Sequence, residues 1–364
     1  MVHNRSTRIV ARWILVGIIM LIVQVLLGGI TRLTGSGLSI TEWKPIMGTL
    51  PPMNNAAWQL AFEQYQQIAQ YKYLNQHFSL GDFKFIFFWE WFHRVWARLI
   101  GVVFLVPFIY FLVKGYFKKW MVAPLVLLFL LGAMQGAIGW IMVKSGLNDN
   151  DLYVSHIRLA AHFTAAMVLI GYAVVFWLKL TVLPQNRIFD PALKRGAIII
   201  SSLLVVQIIY GAFMAGLKAA NVAPTWPDIN GSMVPLNLFD GRNGNPLLHN
   251  VITIHFIHRT LAYILTVLIA IWWWKSRKIS YSPVFNRAKN ATMIFVLVQV
   301  SLGILAIVTS PGMVAGKFGL FEWMAQLHQL VGMMLLLSFV SVIYLSRSAR
   351  QTTPKAKALE VEMV

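Results

Sequence analysis

Eight apolar runs, each long enough to cross a bilayer, constrain what this chain can fold into more than any other feature. They fall near residues 13 to 30, 86 to 113, 121 to 143, 157 to 180, 197 to 217, 251 to 274, 291 to 310 and 323 to 345. A hydrocarbon core of about 30 Å takes roughly 20 residues of helix, and backbone amides inside it must bond within their own segment. Each run is therefore predicted to be a spanning helix, which makes the fold an all-α polytopic membrane protein. The chain is 58% hydrophobic and only 12% charged, and its mean hydropathy of +0.67 is far from that of a soluble domain. The formal charge of +19 sits mostly as Lys and Arg in short gaps between the runs, as topology signals do, so nucleic acid is not the expected partner.

Dense basic clusters, such as Lys114, Lys118 and Lys119 or Lys275, Arg277, Lys278, Arg287 and Lys289, mark the short gaps. The N-terminus and the tail are similarly basic, whereas Arg32, Lys44, Lys144, Lys218 and Lys317 are spread thinly over long loops. Positive-inside logic places both termini in the cytoplasm, in a bacterial inner membrane, with the mitochondrial inner membrane as the alternative. The first run lacks a small-residue cleavage site and reads as a retained span rather than a signal peptide. Cysteine is absent, which excludes disulfides, thiolate catalysis and thiolate-held metals and leaves histidine and carboxylate to do any chemistry.

The two halves of the chain echo each other. V-Q-V-L-L-G-G aligns with V-Q-I-I-Y-G-A, pairing Gln24 with Gln207 and Gly28 with Gly211. Trp43 and Pro51 have counterparts in Trp226 and Pro235, Q-G-A-I-G at Gln135 pairs with Q-V-S-L-G at Gln299, and His93-Arg94 pairs with His258-Arg259. A four-helix unit is used twice, and an even number of spans gives both copies one orientation: two pseudo-symmetric four-helix bundles in parallel. We divide the chain into an N-terminal half, 1–185, with a long outer loop at 31–85, a C-terminal half, 186–347, and a disordered cytoplasmic tail, 348–364. In the outer loop, Trp58, Phe62, Tyr65 and Ile68 recur at helical spacing and predict an interfacial helix that anchors to the membrane surface or covers the N-terminal bundle.

Each even-numbered span carries a histidine five to seven residues past the start of its apolar run: His93, His162, His258 and His328. At 1.5 Å per residue all four are expected about 10 Å below the outer surface. Four imidazoles at equivalent places in a duplicated bundle can make a metal site, a proton relay or two bis-histidine haem sites. Zinc wants three or four converging ligands, whereas a haem takes one axial imidazole from each of two facing helices, so two haem sites fit the pattern better. Gly132, Gly136, Gly139 and Gly303 permit close approach of a flat ligand or of neighbouring helices. Arg94 and Arg259 are placed to pair with haem propionates or to snorkel to lipid phosphate. Glu90 lies three residues before His93 on the same helical face, and its repeat mate is His255. A carboxylate in a low-dielectric cavity can take up a proton or stabilise developing positive charge, and only the N-terminal half has one.

These residues resemble the haem A synthases of cytochrome oxidase assembly, in their cysteine-free branch. The likeness runs from Val23 to Gly332 and includes G-G-I-T-R-L-T-G-S-G-L-S-I-T-E-W-K-P at Gly28, F-W-E-W-F-H-R at Phe88, R-L-A-A-H at Arg158, P-T-W-P at Pro224 and F-I-H-R-T-L-A-Y at Phe256. It implies a membrane oxidoreductase that oxidises a ring methyl of its substrate, haem O, to a formyl group by successive hydroxylations and loss of water. It implies a haem b cofactor on His258 and His328, substrate haem on His93 and His162, and a required glutamate at Glu90. Partners compatible with this reading are membrane lipid, an unidentified electron donor, the haem O-producing synthase and a second copy of the chain. Two departures from the family pattern stand out: His255 replaces a common glutamine, and His156 stands where tyrosine is expected. The rival readings are a diheme b-type electron-transfer cytochrome, which needs the histidines but not Glu90, and a transporter, whose polar residues belong at the midplane.

Overall fold

A computed structural model describes residues 5–42, 47–236, 238–242, 244–279, 282–313 and 318–347. The expected disordered tail at 348–364, and the sequence signals Trp43, Lys44 and Lys317, lie outside the described residues. In chain order the helices are α1 (Arg5–Leu33), α2 (Asn55–Gln66), α3 (Ala69–Leu74), α4 (Leu80–Val113), α5 (Lys119–Lys144), α6 (His156–Thr181), α7 (Pro191–Gly216), α8 (Pro246–His249), α9 (Val251–Ser276), α10 (Pro283–Thr309) and α11 (Leu320–Leu345). Eight of them, all but α2, α3 and α8, are long and apolar enough to cross a membrane. Among the described residues there is no β-strand, only an isolated bridge between Ile229 and Ser232. The molecule is an all-α polytopic membrane protein.

Several helices run past the apolar segments that announce them, because polar caps continue the backbone bonding where hydropathy stops. Asp190 accepts from the Ala192 and Leu193 amides with Pro191 in the first turn, and Ser282 accepts from Phe285 N in front of α10. Ser79 and Asp82 close a reciprocal capping box that starts α4 six residues before its apolar run. His93 consequently lies thirteen residues into its helix, against six, seven and eight for His162, His258 and His328. Counted from the helix start the four therefore differ, because α4 begins six residues before its apolar run. Further down α4, Pro107 has no amide to give the carbonyl of Val103, and the indole N–H of Trp13 bonds that oxygen instead at 2.9 Å.

The duplication is visible in the packing. In the first half α1 packs on α4 and α6, and α5 on α6; in the second α7 packs on α9 and α11, and α10 on α11. The halves join through α6 against α7 and α11, with α1 against α11. A continuous apolar cluster, including Ile170, Ile269, Trp272, Phe285 and Phe339, fills this junction.

The interfacial helix predicted over residues 57–71 forms as two pieces, α2 and α3, broken at Ile68, whose backbone is extended. The break lets the Ala69 amide reach the Asn148 carbonyl while Ile68 stays buried with Phe62 and Tyr65 against Phe83 and Phe87. The two helices thus cap the projecting start of α4. Tyr65 donates to Gln70 and accepts from Asn75. Burial, assisted by the charge of Glu90 and opposed by the Asn75 bond, pushes its phenol up to about 12, so it stays a neutral donor. Phe83 is fully buried at the centre of the cap. Phe83→Ala is expected to cost about 3–5 kcal/mol there, read as faster tryptic cleavage after the exposed Lys72 with the spanning helices intact.

Candidate functional site

The four histidines are held by one device used four times. On the helix facing each histidine stands a glutamine, and one turn later a glycine: Gln24 and Gly28 on α1, Gln135 and Gly139 on α5, Gln207 and Gly211 on α7, Gln299 and Gly303 on α10. A Cβ at these glycines would come within 3.2 Å of His93, 2.8 Å of His162, 3.1 Å of His258 and 2.9 Å of His328. The rings therefore sit where a side chain would otherwise be. Three of the glutamines donate from Nε2 to the backbone carbonyl of their histidine, at 3.3 Å for His93, 2.9 Å for His162 and 3.0 Å for His258. At the fourth, Gln299 Nε2 lies 3.3 Å from His328 Nε2, and His328 Nδ1 bonds the Gln299 carbonyl at 3.0 Å. All four glutamine Oε1 atoms are buried without a partner.

The sequence pairs these glutamines and glycines across the repeat, but their relation to the histidines emerges only in the fold. The signal was present, since Q-x-x-x-G occurs once in every odd-numbered span. Gly139 and Gly303, expected to permit close approach of a flat ligand or of a neighbouring helix, admit the imidazoles of the neighbouring α6 and α11.

All four histidines line one cavity of about 910 Å³, near the upper end of the usual range for ligand pockets. His258 and His328 face each other with ring centroids 6.3 Å apart and planes at 75°. At that spacing the two rings would be able to hold one metal centre between them. The Nδ1 bond of His328 to the Gln299 carbonyl makes Nδ1 the donor and leaves the Nε2 lone pair facing the Gln299 amide at 3.3 Å. Among the described residues no three His, Asp or Glu side chains gather as a metal cage.

Glu90 is 2% exposed and lines the same cavity. Three groups donate to its carboxylate: Ser39 Oγ at 2.7 Å and the Ile40 amide at 2.8 Å on one oxygen, and Arg94 Nη2 at 2.5 Å on the other. Arg94 also bonds the Ile40 carbonyl at 3.2 Å. In the second half Arg259 repeats that last contact on Ala223, at 2.8 Å, and adds the carbonyls of Thr225 and Asp228. Asp228 is itself held below the usual carboxylate range by hydrogen bonds from Thr225 and the Gly231 amide. Both arginines, expected at propionates, border the cavity while binding the loops that close it. His255, in place of a carboxylate, presents Nε2 to the Ala219 carbonyl at 3.0 Å. The asymmetry is thus matched by the loops, which offer donors to Glu90 and an acceptor to His255. Ser39 and Ile40 carried no sequence signal, because a hydroxyl and a backbone amide in a loop have no periodicity.

The other histidines stand apart from the cavity. His156 bonds the Leu248 carbonyl at 2.8 Å and packs edge-on against Phe213 and His249, tying the start of α6 to the second half. His77 and His249 are exposed, and His3 lies outside the described residues. Gln70 of the outer cap does reach the cavity wall, so α3 forms part of its roof.

Comparison with known proteins agrees with this arrangement. Residues 11–340 match the model of the COX15-CtaA family, described as cytochrome oxidase assembly protein. Similar curated proteins include the heme A synthase of Paramagnetospirillum magneticum, 42% identical over 340 residues that cover 92% of each chain. That of Rhodopseudomonas palustris is 40% identical over 97% of this chain and 93% of its own, and that of Nitrosomonas eutropha 39% identical over 83% and 86%. By match along nearly its whole length, the chain belongs to the COX15-CtaA family of cytochrome oxidase assembly proteins.

Proposed function

We propose that the chain is a haem A synthase, a membrane oxidoreductase that converts the ring methyl of haem O to a formyl group. The reading rests on one observation above the others: two equivalent histidine pairs share a cavity, and a buried, triply bonded carboxylate stands beside only one of them. A plain diheme cytochrome has no use for that difference. Methyl to formyl gains one oxygen atom and loses two hydrogens, a four-electron oxidation, so the substrate half needs a polar group at the reacting carbon that the supporting half does not. His93 and His162 would orient the substrate haem, and His258 and His328 would hold a haem b. Bound there, haem b supplies one-electron redox chemistry to the site.

The protein's own groups do the positioning. The four glycine seats set where each imidazole stands, and the glutamines fix the backbone from which it projects. Second-sphere placement of this kind is what gives a metal-binding imidazole its direction. Glu90, bound as an acceptor by three donors, holds its carboxyl group in one orientation, where it favours positive charge developing at the oxidised carbon. The division at residue 186 into a reacting and a supporting half, the bacterial inner membrane and cytoplasmic termini belong to this proposal.

Mass spectrometry of extracted haems tests it. Co-expressed with a haem O-producing enzyme in cells without their own haem A synthase, the chain is expected to yield haem A or its hydroxylated precursor. Unchanged haem O alongside a folded protein carrying haem B would replace the proposal with the cytochrome.

A further inference from the structure

Glycines of the cavity wall do different jobs. Four seat histidines, as described. Three more, Gly101 on α4 and Gly132 and Gly136 on α5, meet no atom within 4 Å of an added Cβ, yet all three are exposed and all three line the cavity. Close helix approach, the usual reason for glycine in spanning helices, does not account for them. They keep a space empty. Their repeat mates are Thr266, Val296 and Val300, which line the cavity from the C-terminal half. Val296 is only 3% exposed.

Packing differs between the halves in the same sense. α4 and α5 barely touch, whereas α9 and α10 are in much fuller contact. Only 6% of the apolar stretch of α4 is buried inside the protein, against 28% for α9. On the N-terminal side the cavity wall thus includes exposed glycines on two helices that hardly meet. Gly101 lies eight residues beyond His93, about 12 Å along the helix, so these glycines sit below the histidines and away from the outer cap.

We infer that the cleft between α4 and α5 is a lateral doorway through which the prenylated substrate haem enters from the bilayer and the product returns, and that the bulkier Thr266, Val296 and Val300 close the equivalent route in the half that keeps its haem. The inference rests on the proposed function for the identity of the substrate. The occupant is a flat macrocycle with an isoprenoid tail: the ring passes between small residues and the tail remains in apolar surroundings. Such a molecule partitions into lipid and reaches the site sideways without crossing water.

The test transfers the closed pattern to the open half. Protein purified with its resident haem is reconstituted in phospholipid vesicles and mixed with vesicles carrying haem O, and uptake is followed by the Soret band and by extraction. A variant carrying Gly101→Thr, Gly132→Val and Gly136→Val is expected to keep its resident haem and take up haem O at least tenfold more slowly. Ala137→Val, on α5 but outside the cavity wall, is expected to behave as wild type. Uptake by the triple variant at the wild-type rate overturns the doorway and leaves the proposed function standing; a wild type that binds no haem O at all overturns both. Should the triple variant fail to fold, Gly136→Cys provides a lone thiol in an otherwise cysteine-free chain. Reaction with a lipid-soluble maleimide that then blocks uptake supports the doorway, and a thiol that such a reagent cannot reach in the membrane overturns it.

Discussion

Glu90→Gln is expected to lower haem A output by about 100-fold or more while leaving the resident haem in place and haem O accumulating. The reason lies in the three donors around the carboxylate. Ser39 Oγ, the Ile40 amide and Arg94 Nη2 each need an acceptor, and a glutamine side chain offers one oxygen and one NH₂ group. Whichever way the amide turns, its nitrogen faces a donor, so an N–H meets either the guanidinium or the Ile40 amide. A buried mismatch of this sort costs about 1–3 kcal/mol, and it displaces Arg94, which also bonds the Ile40 carbonyl. Glu90→Ala removes the charge without adding a donor. Both variants are expected to fail in the same direction, with extracted haems read by mass spectrometry and the resident haem by its reduced-minus-oxidised spectrum. Normal haem A from Glu90→Ala would remove the carboxylate from the reaction and leave it a loop fastener.

The architecture was legible because lipid imposes a simple rule on sequence. Eight apolar runs gave eight helices, and the errors lie at the ends, where Ser79, Asp190 and Ser282 extend helices by capping that hydropathy does not register. The histidines were legible for the same reason, being polar where the surroundings are not. The outer cap was half legible: Trp58, Phe62, Tyr65 and Ile68 do face inward, but the break at Ile68 depends on the distant Asn148 carbonyl, which no local period encodes. Least legible were the contacts of the arginines. Arg94 and Arg259 stand where a propionate partner should, yet their hydrogen bonds go to Glu90 and to loop carbonyls 31 to 54 residues away in the chain. Such contacts become visible only when the loops fold back over the helices.

Gly303→Ala is expected to strip the resident haem, and Gly139→Ala is expected to retain it while impairing the substrate side. A methyl at either position would stand 2.9 Å from His328 or 2.8 Å from His162, closer than packed carbons tolerate, so the ring must turn away. His328 has little freedom to do so without giving up its Nδ1 bond to the Gln299 carbonyl. Loss of ligand orientation typically weakens metal binding by about 10–100-fold, enough to empty the site during purification. His258→Ala, which removes an axial ligand outright, sets the limiting case and is expected to lose the resident haem completely. The haem-to-protein ratio of purified protein, read from the Soret band and by extraction, distinguishes the two sides before any turnover is measured. If Gly139→Ala emptied the resident site and Gly303→Ala did not, the assignment of cofactor and substrate to the two halves would be reversed, and Glu90 would stand beside the cofactor. The one buried carboxylate of the cavity would then act on the redox centre and not on the methyl group. The pair of glycine variants therefore decides which half is the reacting one, while leaving all four histidines in the chain.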